Sequence, residues 1–409
     1  SIKSILGVLE GKGCYEGKEH RLHNRVAWHD GSLWYDLTNK DWQAITVNQD
    51  EWKLINDPPI LFKRYPHNKS QVIPIKGGDI NLFLKYMNIT NEEHKLLLLV
   101  FIVSCFIPDF AHVILIIYGT QGSAKSTLSR LLRSVIDPSI IEVANLPENQ
   151  KELVQTLAHH HFLFFDNISH VSETTSDTLC RAITGGGFSK RELYSDDDDI
   201  IYNFKRCLGI NGINLVATRP DLLERSMLIE LERIDPEKRK QEGELMDEFK
   251  NDLPLILGGV FDTLSKAMAV RPTVRGNSLP RMADFAAWGC AISEALGYSQ
   301  EAFLSAYRSN ITKQTETALS ENIVGSAIIR FMKDRTVWQG TATELLSQLN
   351  NIGDAFENLE SKDKYWPRSA NSLSRKLNEL KVNLREAGIE VSIISGMERK
   401  IILRSIKAL

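Results

Sequence analysis

The sequence predicts an α/β fold around a P-loop ATPase core, and three observations predict it. The apolar run Val113–Tyr118 leads into Gly119-Thr120-Gln121-Gly122-Ser123-Ala124-Lys125-Ser126-Thr127 and then into the helix-like Leu131–Val135. The apolar run His161–Phe165 ends in Asp166-Asn167. A third run, Cys207–Ile210, ends in Asn211-Gly212. Strand-like segments that alternate with helix-like ones build such a core.

The regions follow in order. Residues 1–78 read as a small β-rich region. Arg25–His29, Ser32–Asp36, Trp42–Val47 and Ile60–Lys63 are β-like runs between turn signals, with Asp30-Gly31 as a hairpin turn. Trp28, Trp34, Tyr35 and Trp42 have faces on which bases stack, but a small β domain needs them as core, and core is the expectation. Residues 79–112 read as a helical connector. In it Leu96–Phe106 is apolar apart from Ser104 and is ended by Pro108-Asp109. It is too short for the roughly 20 residues of a membrane span, so a buried helix beside the phosphate-loop strand is expected, with no membrane contact. Residues 113–235 hold the α/β core, 236–320 are mostly helical, and 321–409 form a separate small domain.

The core carries the chemistry. Strand, glycine-rich loop, Lys-Ser and helix is the P-loop layout. Loop N–H groups and a helix N-terminus surround phosphate oxygens, Lys125 adds a point charge, and the Ser126 hydroxyl reaches Mg²⁺. Ala124 stands where the pattern has its last glycine. Its methyl is tolerable if the backbone there is already helical. Asp166, at the end of a buried strand, is the Walker B acid that holds Mg²⁺ through water. Asn167 occupies the place of a catalytic glutamate; an amide orients water but takes no proton. The general base is left among Glu142, Glu152 and Glu173. Asn211 suits the sensor that contacts the γ-phosphate or attacking water, with a turn-forming Asn-Gly as the plain alternative. In Thr218–Ser226, Arg225 precedes the apolar Met227–Leu231 and suits an arginine finger given to a neighbouring subunit. Arg219 reads more as a surface ion-pair residue. ATP and Mg²⁺ are the expected ligands.

Composition narrows the classes. Hydrophobic residues at 43% and charged residues at 25% suit a globular protein with a core, not a disordered chain. The net charge of -3 means that a nucleic-acid surface has to be local. Cys14, Cys105, Cys180, Cys207 and Cys290 form no close pair, which argues against a zinc site or disulfide framework and for a reducing cytoplasm. His159-His160-His161 has the residue type of a metal tract, but a solvated helix end leading into a strand is expected. The chain starts at Ser1 without a signal-peptide pattern and reads as a piece of a longer protein.

This ordered set of motifs resembles hexameric AAA+ helicases, at the border between superfamily 3 and minichromosome-maintenance helicases. The Gly-Ser-Ala-Lys-Ser form of the loop, Gly122–Ser126, is similar to the minichromosome-maintenance version, which also has Ala before Lys. Asp166-Asn167 and Asn211-Gly212 look more like helicases of phages and mobile elements, in particular the helicase half of phage primase-polymerases. The likeness covers about residues 80–235 and is looser elsewhere. It implies a homo-hexameric ring with ATP sites between subunits. Lys125, Ser126, Asp166 and Asn211 would act in cis and Arg225 in trans. Residues 236–320 would be a helical lid with Arg281 as second sensor.

Similar helicases grip one DNA strand in a central pore with a hairpin between Asp166 and Asn211. Here Ser189–Tyr194 and Ile200–Arg206 can pair around Ser195–Asp199, with Lys190, Arg191, Lys205 and Arg206 as phosphate contacts. The acidic tip departs from that pattern, because carboxylates repel a phosphate backbone unless they point away or bind cations. Residues 321–409 read as a winged-helix-like domain. Ile328–Phe331, Ala342–Leu349 and Ser372–Leu384 are its helices; Val391–Ser395 and Lys400–Ile406 form a wing around Gly396. From Lys362 to Lys407 there are 11 basic and 5 acidic residues, which favours DNA contact through Arg368, Arg375 and Lys376. A solvated face or a protein-docking domain is the other reading. The expected function is an ATP-dependent replicative DNA helicase of a phage or mobile element, part of a primase-polymerase, acting on a forked duplex. An AAA+ ATPase that loads or remodels other proteins shares every nucleotide motif. Asn167 keeps open an ATP-binding regulator without useful turnover.

Overall fold

The computed structural model describes residues 2–169, 171–191, 199–212, 220–235, 237, 240–275, 279–354, 366–394 and 400–406. Helix α1 (Ile2–Glu16) buries none of its residues. After β1 (Leu22–His23) comes an antiparallel meander of β2 (Val26–His29), β3 (Ser32–Asp36), β4 (Ala44–Val47) and β5 (Trp52–Ile55). β6 (Leu61–Phe62) then pairs in parallel with β1. The β2–β3 turn has φ 49° at Asp30 and 72° at Gly31, both left-handed as a tight hairpin requires. β5 and α1 were not expected. Trp34 and Tyr35 are buried and Trp28 is half-buried, but Trp42 departs from the core expectation. It lies before β4 with its ring exposed and the Arg64 guanidinium 3.9 Å over it.

A 3₁₀ turn over Ile80–Tyr86 leads to α2 (Glu92–Ser104), started by the Asn91 side chain, which accepts from the N–H groups of Glu93 and His94. Leu96 to Ser104 are all buried, which a helix apolar all round requires. The next elements are β7 (Ile114–Tyr118), α3 (Lys125–Ile136), α4 (Gln150–His159), β8 (Phe162–Phe165), α5 (Glu173–Thr184), β9 (Phe188–Arg191), β10 (Asp199–Tyr202), β11 (Cys207–Gly212), α6 (Pro220–Leu223) and β12 (Ser226–Glu230). The main sheet is parallel, in the order β12-β7-β11-β8. Its strands are mainly apolar and almost wholly buried, as a parallel sheet covered by helices requires.

Three helices follow: α7 (Glu242–Val270), α8 (Ala283–Ala295) and α9 (Gln300–Glu321). α7 is long and apolar enough to cross a membrane, yet its apolar residues pack on the meander, α2 and α8. At Gly258 an added Cβ would lie 1.7 Å from the Ile75 carbonyl oxygen, and at Gly259 2.3 Å from the Ile80 nitrogen. The Ile75 N–H donates to the Pro254 carbonyl at 3.0 Å, so the segment leaving the meander is laid directly on the α7 backbone. Phe261 of α7 contacts the rings of Tyr35 and Trp52 from the meander, and one hydrophobic core runs through both.

A second core holds α10 (Ile323–Met332), β13 (Val337–Thr341), α11 (Ala342–Asp354), α12 (Ala370–Glu386), β14 (Ile389–Ile394) and β15 (Lys400–Ser405). β14 and β15 pair antiparallel as expected, and β13 adds an unexpected strand on the far edge of β15. Gly396 lies outside the described residues.

A buried ion network joins the meander to the main sheet. Asp137, at the end of α3, is fully buried and accepts from Arg25 Nε at 2.8 Å, Arg133 Nη1 at 3.0 Å and the backbone N–H of His161 at 3.1 Å. Arg133 Nη2 also meets His160 Nδ1 at 2.6 Å, and His161 Nε2 meets the Cys105 carbonyl at 2.6 Å. The histidine tract is thus not a solvated helix end: His160 and His161 are each only 4% exposed. No metal-ligating cluster is present among the described residues.

Candidate functional site at the carboxyl edge of the parallel sheet

β7, β8 and β11 are parallel and adjacent or next-but-one, so the turns after them open on one edge of the sheet. That places the Gly119–Ala124 loop, Asp166-Asn167 and Asn211-Gly212 together, at the kind of crevice where open α/β sheets bind ligands. Gly119 takes φ 150° and a Cβ there would lie 2.3 Å from the Leu231 carbonyl oxygen. Gly122 takes φ 82°. Thr120, Gln121 and Gly122 are exposed, whereas Ser123 is 1% exposed beneath them. Lys125, Ser126 and Thr127 form the first turn of α3 and are half-buried.

Lys125 Nζ donates to the carbonyl oxygens of Gly119 at 2.8 Å and Thr120 at 3.0 Å. Burial lowers its pKa while Asp166 raises it, with a net downward shift. The Ser126 hydroxyl donates to Asp166 Oδ1 at 3.0 Å. Asn211 is 1% exposed and both ends of its amide are engaged. Its Oδ1 accepts the Asn167 N–H at 2.8 Å, and its Nδ2 donates to Ser129 Oγ at 2.8 Å. Asn211 therefore locks the chain after Asp166 onto α3. Ser129, one helical turn after Lys125, was not singled out from the sequence, although that spacing puts the two on one face. Asn167 is exposed at φ 56°, a left-handed value that Asn tolerates. The whole arrangement offers N–H donors and a cation to a polyanion, with a hydroxyl and a carboxylate to a hard cation.

Ala124 differs from the expectation of a helical backbone. It caps α3 at φ 61° and ψ 31°, in the left-handed region where glycine is the low-cost residue. Ala124→Gly should therefore stabilise the protein by roughly 0.5–1 kcal/mol, the strain relieved less the freedom gained by the unfolded chain. Ala124→Val should destabilise it by at least about 1 kcal/mol, since a β-branched residue fits that region worse. Urea midpoints at constant m-value check both.

Glu142 is taken up by Lys69 at 3.6 Å and Arg130 at 3.9 Å. Glu152 is exposed in the first turn of α4, and Glu173 opens α5. The arrangement singles out none of the three as a base.

Arg225 lies at the other end of the sheet. Its carbonyl accepts from Ile114 N–H, at the start of β7. Five strand residues at about 3.3 Å each separate it from Gly119, about 16 Å. Arg281 lies with it: both guanidinium groups reach Asp221. Asp221 was not anticipated, although its place four residues before Arg225 is a helical spacing.

β9 and β10 pair antiparallel, with Lys190 and Arg191 on β9; Glu192–Tyr194 of the expected first strand lie outside the described residues. Ser195–Asp198, most of the acidic tip, lie outside the described residues, as does Arg219. Lys205 and Arg206 are a correction, because β10 ends at Tyr202. Lys205 Nζ donates to the Asp109 carbonyl at 2.9 Å. Arg206 donates to the carbonyls of Leu157 at 2.8 Å and Ala158 at 3.1 Å, closing the end of α4. Burial lowers the Arg206 pKa to about 10. On α12, Arg375 and Lys376 flank Glu379 at 3.9 and 3.3 Å, with the Arg375 side chain 75% exposed; Arg368 is exposed just before the helix.

Comparison with known proteins adds the following. The apo C-terminal region of NrS-1 aligns over 90% of this chain and 95% of its own, at 12% identity and a TM-score of 0.40. A JCV helicase structure aligns over 57% of this chain and 65% of its own, at 12% identity and a TM-score of 0.29. No curated protein matches the chain. The profile of the actinomycete integrative conjugative element replication protein matches residues 80–316, and that of the AICE RepA C-terminal domain matches residues 324–408. The expectation of a mobile-element replication protein stands, with a conjugative element in the place of a phage. Since the first match spans more than half of its length, the chain belongs to the family of actinomycete integrative conjugative element replication proteins.

Proposed function

We propose that this protein is the ATP-driven DNA helicase of its element's replication, built on an AAA+ P-loop core and acting as a homo-hexamer. One observation carries the reading. Lys125, Ser126 and Asp166 meet at one edge of the sheet, whereas Arg225 lies about 16 Å away at the other. An arginine so placed cannot serve its own site, and it suits a site shared with a second subunit.

Loop N–H groups and the α3 N-terminus would receive the ATP phosphates. Lys125 would exchange two carbonyl oxygens for phosphate oxygens, a small movement of a side chain already in the loop. Ser126 and Asp166 fit Mg²⁺: they are hard oxygen donors, already 3.0 Å apart at the mouth of the loop. Bound there, the ion would neutralise charge on the phosphate oxygens. Asn211 would hold Asp166-Asn167 in register with α3, and Arg225 would stabilise charge from the neighbouring subunit. The strands carrying Lys190 and Arg191 would line a central pore around one DNA strand. The fold of residues 321–409, with α12 as its third helix, would be a winged helix that contacts DNA through Arg368, Arg375 and Lys376.

Strand displacement tests the whole reading. With ATP and Mg²⁺ the protein should unwind a forked duplex, and single-stranded DNA should raise its ATP turnover. ATP turnover that ignores DNA, with no displacement from either tail polarity, would favour a protein remodeller.

A further inference from the structure

Both arginines expected to act on phosphate are held by one carboxylate of their own chain. Asp221, in α6, lies one helical turn before Arg225. Arg225 Nη1 donates to the Asp221 carbonyl oxygen at 3.0 Å and also pairs with its carboxylate. Arg281, just before α8, donates from Nη2 to Asp221 Oδ1 at 2.9 Å and pairs through Nη1 with Glu224. Two guanidinium groups and two carboxylates thus close a neutral cluster. The Arg225 side chain is 18% exposed within it.

The same N–H fork serves a carboxylate or a phosphate, not both. An arginine paired in this way has to leave Asp221 before it can reach a phosphate on another subunit. The element that carries Asp221 is not isolated either. α6 packs against α5, α9 and α12, and α12 carries the exposed Arg375. A displacement of α12 therefore reaches the carboxylate through one contact.

We infer that Asp221 is a latch, a positioning residue that keeps Arg225 and Arg281 within their own subunit until DNA on α12 shifts α6. This rests on the ATPase reading above and names how that site is regulated. Hydrolysis at the neighbouring site then waits for DNA. Nothing in the latch requires a new ligand or a new bond; one ion pair is exchanged for another.

The test is steady-state ATP turnover of the full chain, with and without single-stranded DNA. Asp221→Asn keeps the shape and removes the charge. It should raise the DNA-free kcat about two- to fivefold, the range set by loss of an exposed ion pair, at unchanged KM. DNA should then stimulate correspondingly less. Asp221→Glu keeps the charge and should restore the low DNA-free rate. Asp221→Asn combined with Arg225→Ala should fall to the rate of Arg225→Ala alone. If Asp221→Asn does not fold, Asp221→Ser carries the same expectations.

A folded Asp221→Asn protein with unchanged or lower DNA-free kcat overturns the latch and leaves the ATPase reading standing. A rise that survives in the double variant also overturns it, because the effect then bypasses Arg225. An Arg225→Ala protein with full DNA-stimulated turnover overturns the finger and the latch together.

Discussion

Lys125→Ala should abolish ATP turnover in a folded protein, by at least about 10²–10³-fold, the loss seen when one preorganised donor to developing charge is removed. Lys125 is the only lysine within the loop, and no neighbouring cation lies within it to take its place. The fold should survive. Among the described residues Lys125 Nζ is bonded to loop groups, the carbonyls of Gly119 and Thr120 and the Ser123 hydroxyl at 3.5 Å. The two carbonyls lie at the mouth of the loop, where water can replace the ammonium group. Turnover is read by phosphate release and folding by the urea midpoint, in the same preparation. Turnover near normal in a folded Lys125→Ala protein would remove the P-loop assignment and the helicase reading with it. Asp166→Ala should lose Mg²⁺-dependent activity in parallel, because Ser126 alone offers a single neutral oxygen.

The largest effect on stability is expected at Asp137, far from that loop. Asp137→Ala should cost about 3–5 kcal/mol, the usual result of removing one partner from a buried ion pair. The reason is what remains. Arg25 and Arg133 are each about 1% exposed in their side chains and would be left facing each other. The backbone N–H groups of His161 and Phe162 would lose their acceptor as well. Chemical denaturation measures the loss.

The network should also show in the pH dependence. Burial, then Arg133 and His67, push the His160 pKa down to about 3 from 6.5. The unfolded chain then takes up the proton first, so stability is full above pH 6.5 and drains as pH falls toward 3. Burial pushes the Asp137 carboxyl up, but Arg133 and Arg25 outweigh it and hold it well below its ordinary 3.8. Its contribution is lost only at still lower pH. Unfolding free energies at pH 7 and pH 5 should therefore differ. His160→Asn, which keeps an acceptor near the Nδ1 position, should reduce that slope, with His67, His159 and His161, which burial also holds below 6.5, supplying the rest.

The site was more legible in the sequence than the frame around it. A strand that ends in Gly119–Ser126 has few other uses, so the loop, Asp166 and Asn211 could be placed from pattern alone. Each follows an apolar run whose period and length mark a buried strand. The misses have physical causes. β5 and β13 are short, and Trp52–Ile55 and Val337–Thr341 carry too few alternations to stand out from loop. α1 contains Gly7, Gly11 and Gly13, which hide a helix from any propensity argument. Arg206 looked like a DNA contact because a charge was assumed to face water. Its partners are carbonyls at the end of α4, a long-range fact with no local signal. The histidine tract failed for the same reason: Arg133 and Asp137, more than twenty residues away in sequence, decide its burial.

The segment laid across α7 has a mechanical meaning. Gly258 and Gly259 give it clearance of less than one methyl group, and the Pro254 carbonyl and Asp262 carboxylate take its N–H groups at Ile75 and Gly77. A strap clamped that closely does not slide. Pull on the meander and the load passes straight into α7, and from α7 into the helices behind the sheet. The meander and the helices behind the main sheet are therefore joined backbone to backbone as well as through one hydrophobic core, so a load on either is carried by both.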